Sequence, residues 1–361
     1  MKNKCSSVQF FVRRCLKERL KDMANTDIGI DLGTSNIVMT MGSKGVVLSE
    51  PSVIAYNTRT ERVLAVGREA YEMIGRNPDY IAVARPISEG VISDDDLTHS
   101  MIREFILKVT GHQLLKPRII ICVPSFITDI ESRAVVDAAK SAGSRQVYLI
   151  QEPIAAMIGA GVNITKAKGH LIVDIGGGTT DVAIVSMNGV VTSHTIKIAG
   201  NKIDKSIIRY MQNKYKLLIG ERTAEKVKME LCNLYDPNEE MTCLVKGRSL
   251  LKGLPAQVLI SELELFEAIE DDTFAIMEAI RKVLEDAPPE LVGDIYDNGL
   301  LMTGGGALLG GLPQLIKRTL GINCRIAKDS INCVAKGTGM AFGHMTTLLD
   351  GFEAAAVYKY R

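Results

Sequence analysis

The chain has no tryptophan, no CxxC pair and almost no net charge. The missing tryptophan decides nothing about function. The seven cysteines (5, 15, 122, 232, 243, 324 and 333) are scattered, with no histidine nearby at ligand spacing. They read as reduced thiols of a cytoplasmic protein, which excludes a disulfide frame or a zinc site. A net charge of +1 leaves no nucleic-acid footprint at the level of the whole chain. No stretch is long and apolar enough to span a bilayer. What is present is an ordinary globular balance, 46% hydrophobic and 24% charged over 361 residues. That length suits two or more domains with a substantial core.

The most informative stretch is Asp174-Ile175-Gly176-Gly177-Gly178-Thr179-Thr180-Asp181. Apolar runs lead in (Leu171-Ile172-Val173) and out (Val182-Ala183-Ile184-Val185), so the segment reads as a hairpin. Three glycines open turn conformations closed to other residues and let phosphate oxygens lie against bare backbone N–H groups. Thr179 and Thr180 add hydroxyls, and Asp174 at the strand end can hold a hydrated Mg²⁺ through one carboxylate plus phosphate. A Gly-rich turn alone is weak, but the pattern recurs. Ile28-Gly29-Ile30-Asp31-Leu32-Gly33-Thr34-Ser35-Asn36 repeats strand, Asp, Gly and Thr before Ile37-Val38-Met39. Leu300 to Leu309 gives a strand, three glycines and a helix start. The two hairpins hint at an ancient duplication.

Along the rest of the chain, Val8, Phe11, Val12, Cys15, Leu16, Leu20 and Met23 share one helical face. Residues 1–24 carry seven Lys/Arg against two Asp/Glu. A basic amphipathic helix suits an anionic lipid surface; the alternatives are a helix packed on its own domain or a true start at Met23. Residues 57–85 are more polar and read as a small insertion. Helices are expected from Asp94 to about Thr110, 131–142, 154–160, 200–215, 221–232, 262–285, 313–320 and from Cys333. A buried strand is expected at Ile119–Pro124, a strand at Val147–Ile150, a strand pair over 190–198, a small β-rich unit at 236–260 and a poorly ordered tail from Gly351. Glu152 falls at a strand-to-helix corner before Pro153, where a carboxylate can simply cap the helix. Leu114-Leu115 is an apolar pair in a loop that either tucks into the core or is displayed. Glu225 and Lys228, one turn apart, are by pattern alone a solvated ion pair.

The paired Asp-Gly-Thr hairpins resemble the nucleotide site of the actin, Hsp70 and sugar-kinase superfamily. Ten blocks in order narrow this: IDLGTSN, PSVIAY, RPISEGVISD, ICVPS, EPIAAMIGAG, VDIGGGTTDVAIVS, IGERTAEKVK, APPELVGDI, MTGGGALLGGL and CVAKGTG. Together they resemble the bacterial actin family MreB over about residues 25 to 345. The resemblance implies an α/β, actin-like two-domain fold with four subdomains around a nucleotide cleft. The expected division is 25–56, 86–160 and 338–350 (IA), 57–85 (IB), 161–200 and 257–337 (IIA), and 201–256 (IIB), with 1–24 as leader and 351–361 as tail. It implies ATP and Mg²⁺, slow ATP hydrolysis coupled to filament assembly, antiparallel double filaments, and work with cell-wall elongation proteins that maintains rod shape. The protein would be cytoplasmic, peripheral on the inner face of the membrane through residues 1–22 and Leu114, Leu115.

Carried over residue by residue, the resemblance makes Gly33, Thr34, Ser35 and Asn36 the first phosphate loop and Gly176, Gly177, Gly178, Thr179 and Thr180 the second. Asp31 and Asp174 become the carboxylates near the metal. Glu152 becomes the catalytic residue that positions water, helped by Thr179 or Thr180. Glu225, Lys226, Val227 and Lys228 flank ribose and adenine, and Gly304, Gly305, Gly306 and Ala307 form the adenosine loop. The chain departs from the family pattern at Ser35, Ile37, Asp181 and Asn201, and in the length of its leader, which marks a divergent paralogue. None of these removes a required group. An Hsp70-type chaperone would need a substrate-binding region after the nucleotide domain, and a sugar or acid kinase an acceptor pocket with a catalytic Asp; neither is expected here. Fold analogy alone would not separate these classes.

Overall fold

The computed structural model describes residues 27–111, 116–125, 127–345 and 357–360. The amphipathic leader and Leu114-Leu115 lie outside the described residues. The β-branched runs form two central sheets. In the first, Ile28–Leu32 pairs antiparallel with Asn36–Met41, which pairs antiparallel with Val46–Pro51. On its other side Ile28–Leu32 runs parallel to Arg118–Val123, and that strand parallel to Gln146–Gln151. In the second sheet, His170–Ile175, Thr180–Ser186 and Gly189–Ile196 form the same antiparallel meander. His170–Ile175 then runs parallel to Leu300–Thr303, and that to Cys324–Ile326. Numbered within each half, these five strands of each sheet have the order 3-2-1-4-5, and the first sheet carries a sixth strand beyond its fifth. The duplication hinted at by two short hairpins is thus written in the topology of both halves.

Local chemistry sets the element ends. Asp94 accepts from the Leu97 N–H and starts helix Asp95–Thr110. Capping boxes at Thr128/Glu131 and Ser261/Glu264 start helices Asp129–Ser141 and Glu262–Glu285. Two smaller sheets sit at the outer ends. Ile54–Asn57, Val63–Val66 and Ile81–Ala84 form one, covered by helix Arg68–Met73; Leu217–Leu218, Thr242–Ser249 and Pro255–Ser261 form the other.

Two expectations are corrected. Residues 190–198 hold a single strand, because the turn lies earlier, at Met187 and Asn188, both at positive φ (51° and 62°). The tail is not structureless throughout: Val357–Tyr360, rich in β-prone residues, adds an antiparallel edge strand to Gln146–Gln151.

Helices Glu152–Gly159 and Cys333–Met340 cross between the sheets. They pack against Ile120, Ile150, Ile172 and Ala183 from the inner faces of both sheets. A Cβ on Gly159 would run into the Cys333 carbonyl, and one on Gly337 into the Ala155 carbonyl, so only glycine permits this crossing. The crossing helices close one side of the gap between the domains and leave the hairpin turns facing each other across the other.

Candidate functional site

Both hairpin turns end at one cavity of about 520 Å³ between the domains. The turns are complementary. A Cβ on Gly177 would collide with the Ser35 side chain, and one on Gly178 with the Thr34 side chain. Bare backbone on the second turn therefore makes room for the hydroxyl side chains of the first. Thr34 Oγ1 accepts from the Gly90 N–H at 3.0 Å, and Ser52 Oγ donates to the Gly33 carbonyl at 2.5 Å. Ser35 Oγ donates to Asn201 Oδ1 at 3.2 Å, a bond from one domain to the other. The Asn201 N–H in turn donates to the Gly177 carbonyl at 2.8 Å. The expected phosphate-loop residues Gly33, Thr34, Ser35, Asn36, Gly176, Gly177, Gly178 and Thr179 all line the cavity.

Carboxylates gather at its floor. Asp31 and Asp174 occupy equivalent positions, each the next-to-last residue of its hairpin's first strand. Both line the cavity, as does Glu152. Asp31 is pushed up from 3.8 to about 7, mainly by desolvation and then by Asp174. Asp174 rises to about 6 through desolvation, held back by Thr303 Oγ1, which donates to it at 2.8 Å. Glu152 opens partly onto the cavity, yet the surrounding protein desolvates its carboxyl, and Asp181, Asp174 and Asp31 push its pKa further up. Asp181 is itself raised by burial, against the stabilising hydroxyl of Thr195, which donates to it at 2.5 Å. Such a group of crowded carboxyls holds protons unless a cation neutralises it.

The donors fit Mg²⁺ of a particular kind. Among the described residues no group of three or more His, Cys, Asp or Glu could hold a metal unaided. Asp31 and Asp174 offer two carboxylates in the cavity that both turns line. An ion there completes its shell with water and phosphate oxygens, which is how Mg²⁺ is usually held.

Helix Glu221–Leu231 and the Gly304-Gly305-Gly306 corner, whose Gly304 lies against Asp174, line the same cavity. Glu225 and Lys228 face it. Lys228 is fixed by Asp204 at 2.8 Å and by the Gly200 carbonyl at 3.1 Å, so it is not the solvated partner of Glu225 that spacing alone suggests. Asp204 remains raised to about 6 because burial outweighs the lysine. Met229, Leu308, Leu309, Ile331 and Val334 add apolar surface suited to a flat ring.

Four expected residues do not reach the cavity. Thr180 alternates with Thr179 along the strand, is fully buried, and donates to the Ile198 carbonyl at 2.7 Å. Between the two threonines, only Thr179 meets the cleft. Lys226 and Val227 are rotated off the face that carries Glu225 and Lys228; Lys226 pairs with Glu230 at 3.6 Å and Val227 is in the core. Ala307 is buried behind the glycine corner. Sequence reasoning in turn did not place Gly90, Pro124 or Cys232 in the lining. Nor did it give Asp181 a role at Glu152, although its position opposite Asp174 in the hairpin register was a usable signal.

The family profile described as MreB/Mbl protein matches residues 25–350. The chain is 45% identical over 323 residues to the cell shape-determining protein Mbl of Bacillus subtilis, covering 89% of this chain and 97% of that one. It is 42% identical over 330 residues to the cell shape-determining protein MreB of Escherichia coli, covering 90% and 95%. Among solved structures, MreB5 of Spiroplasma citri bound to ADP matches with a TM-score of 0.84 at 34% identity, covering 90% of this chain and 98% of that chain. The MamK double helical filament matches with a TM-score of 0.74 at 23% identity, a likeness of fold, covering 88% and 98%.

Proposed function

The chain belongs to the MreB/Mbl family of actin-like, cell shape-determining proteins, and from that premise we propose that it is a Mg²⁺-dependent ATPase that assembles into membrane-bound filaments and guides cell-wall synthesis. The observation that carries the nucleotide part is the meeting of two hairpin turns and three carboxyls, from both domains, at one cavity. The ADP and AMPPNP bound to Spiroplasma citri MreB5 support the choice of ligand. We carry the four-subdomain division, with 57–85 and 201–256 as the small lobes, as part of the same proposal.

In this reading the backbone N–H groups of Gly33–Asn36 and Gly176–Thr179 hold the β- and γ-phosphates from opposite sides. The apolar wall takes the base, and Glu225 and Lys228 take the ribose end. Asp31 and Asp174 hold Mg²⁺, which supplies charge neutralisation on the phosphate oxygens. Glu152 orients a water toward the γ-phosphate and accepts its proton, giving ADP and phosphate; Thr179 helps to place it. Phosphoryl transfer to water needs positioning and electrostatics more than covalent chemistry. Because the γ-phosphate joins loops of both domains, its loss changes how strongly they are tied.

Filament formation is supported by the family's cell-shape names and by the fold shared with a filament-forming protein. Residues 1–22 and Leu114, Leu115 are the proposed lipid contacts. Two weak anchors on a polymer reinforce each other through effective concentration.

The test is co-pelleting with anionic liposomes in Mg-ATP and Mg-ADP, with phosphate release followed in parallel and the pellet viewed by negative-stain microscopy. The full chain and one starting at Met23 are compared. Paired filaments on lipid, weakened by the truncation, and slow phosphate release are expected. Soluble monomer under every condition would contradict the filament reading.

A further inference from the structure

We propose that Tyr71 is a positioning residue that ties the two domains together at the cleft mouth and holds Glu225 where it meets the ribose hydroxyls of a nucleotide. The proposal rests on the nucleotide reading above. Tyr71 lies in helix Arg68–Met73, on the small sheet of the first domain; Glu225 lies in helix Glu221–Leu231 of the second. The Tyr71 hydroxyl donates to Glu225 Oε2 at 3.0 Å. Arg222, one turn before Glu225, stands 5.3 Å from the centre of the same ring. Residues three apart share a helix face, so one aromatic side chain meets two groups of the opposite domain at once.

A second residue of the first domain joins this contact: Arg85 stands 5.9 Å from the centre of the Tyr71 ring and reaches Glu221 of the second domain at 4.0 Å. Glu225 lines both the main cavity and an outer polar cavity of about 330 Å³, into which Tyr71, Arg68, Arg85 and Lys205 also face. Glu225 thus belongs to the boundary between the nucleotide space and the cleft mouth, which it shares with Thr34, Ser35, Asn36 and Asn201. A flexible glutamate on an exposed helix face has several rotamers, and the tyrosine hydroxyl selects the one it bonds. Burial and the Glu225 charge both raise the Tyr71 pKa, so the phenol stays a donor. Tyr71 touches no reacting atom, and its hydroxyl acts on the nucleotide through Glu225.

The test uses the full chain with ATP and 2′-deoxy-ATP. Tyr71→Phe keeps the ring over Arg222 and removes only the hydroxyl, so its thermal midpoint stays that of the wild type. Loss of one exposed hydrogen bond to a carboxylate should raise the ATP KM about threefold. The effect should fall on KM more than on kcat, and the KM ratio of 2′-deoxy-ATP to ATP should shrink. In a Glu225→Ala background, Tyr71→Phe should add nothing; Tyr71→Ala should exceed Tyr71→Phe because the Arg222 contact goes too. An unchanged ratio in Tyr71→Phe, or an equal effect with and without Glu225, would overturn the proposal. Equilibrium dialysis of the wild type separates the two readings: no ATP binding at all would defeat the nucleotide assignment itself, whereas ATP binding indifferent to Tyr71 would defeat only the positioning role.

Discussion

The two hairpins share strand order, register and an aspartate one residue before the end of the first strand, yet their turns are built oppositely. The first presents side chains, Thr34 and Ser35; the second presents bare glycine backbone at Gly177 and Gly178, directly facing them. Their aspartates differ as well. Asp174 receives the Thr303 hydroxyl and rises to about 6, while Asp31 rises to about 7. The comparison teaches that a duplicated motif can serve one site only after its copies become complementary. Two identical Gly-rich turns would leave a gap, and two turns carrying side chains would collide.

The largest expected break comes at the residue both copies surround. Glu152→Ala should slow phosphate release by about 100-fold, the usual scale for a lost general base, while ATP binding by dialysis persists. Loss of binding along with hydrolysis would mean that Glu152 is structural.

Next comes the complementarity itself. Gly177→Ala places a methyl against Ser35 and should destabilise the protein by about 1–3 kcal/mol in denaturant titration, with weaker ATP binding. Combining it with Ser35→Gly exchanges the two surfaces and should restore part of both losses. Failure of that rescue would show that the turns are not coupled.

The carboxyl asymmetry gives a pH test. Asp31 and Asp174 bind their protons more tightly folded than unfolded, where the ordinary value is 3.8. Their contribution to stability is thus fully present below that value and lost as pH rises through about 6 for Asp174 and about 7 for Asp31. Without nucleotide, these two groups should make stability fall from the ordinary value of 3.8 up to about 6 for Asp174 and about 7 for Asp31, each adding a slope of up to about 1.4 kcal/mol per pH unit within its window. Asp31→Asn should flatten the upper part of that fall and Asp174→Asn the lower part.

The smallest effect sharpens the comparison. Thr303→Val removes the hydroxyl from Asp174, should cost about 1 kcal/mol, and should shift its part of the pH profile upward toward that of Asp31. An unmoved profile would mean that the hydroxyl does not set the asymmetry.

The hairpins, their aspartates and the glycine corner were legible in sequence because each is local: strand propensity, a turn and an adjacent charge lie within a dozen residues. Glu152 stood out only as a corner residue, and the family resemblance supplied its role. What was not legible depended on rotation or on distance. Whether Thr179 or Thr180 faces the cleft is a matter of strand parity at a turn. Lys226 and Val227 were included with Glu225 and Lys228 although a helix turns each residue about 100° from the last. The bonds from Ser35 to Asn201 and from Tyr71 to Glu225 join residues more than 150 positions apart. The strand Val357–Tyr360 shows β propensity, but only an open sheet edge decides whether it pairs.

The central claim is that one nucleotide joins both hairpins. Hydrogen exchange of the full chain with and without Mg-ATP tests it most directly. The account predicts that the amides of Gly33–Asn36 and of Gly176–Thr179 gain protection together, with the same dependence on ATP concentration. Protection of one turn alone, or of neither, would contradict it.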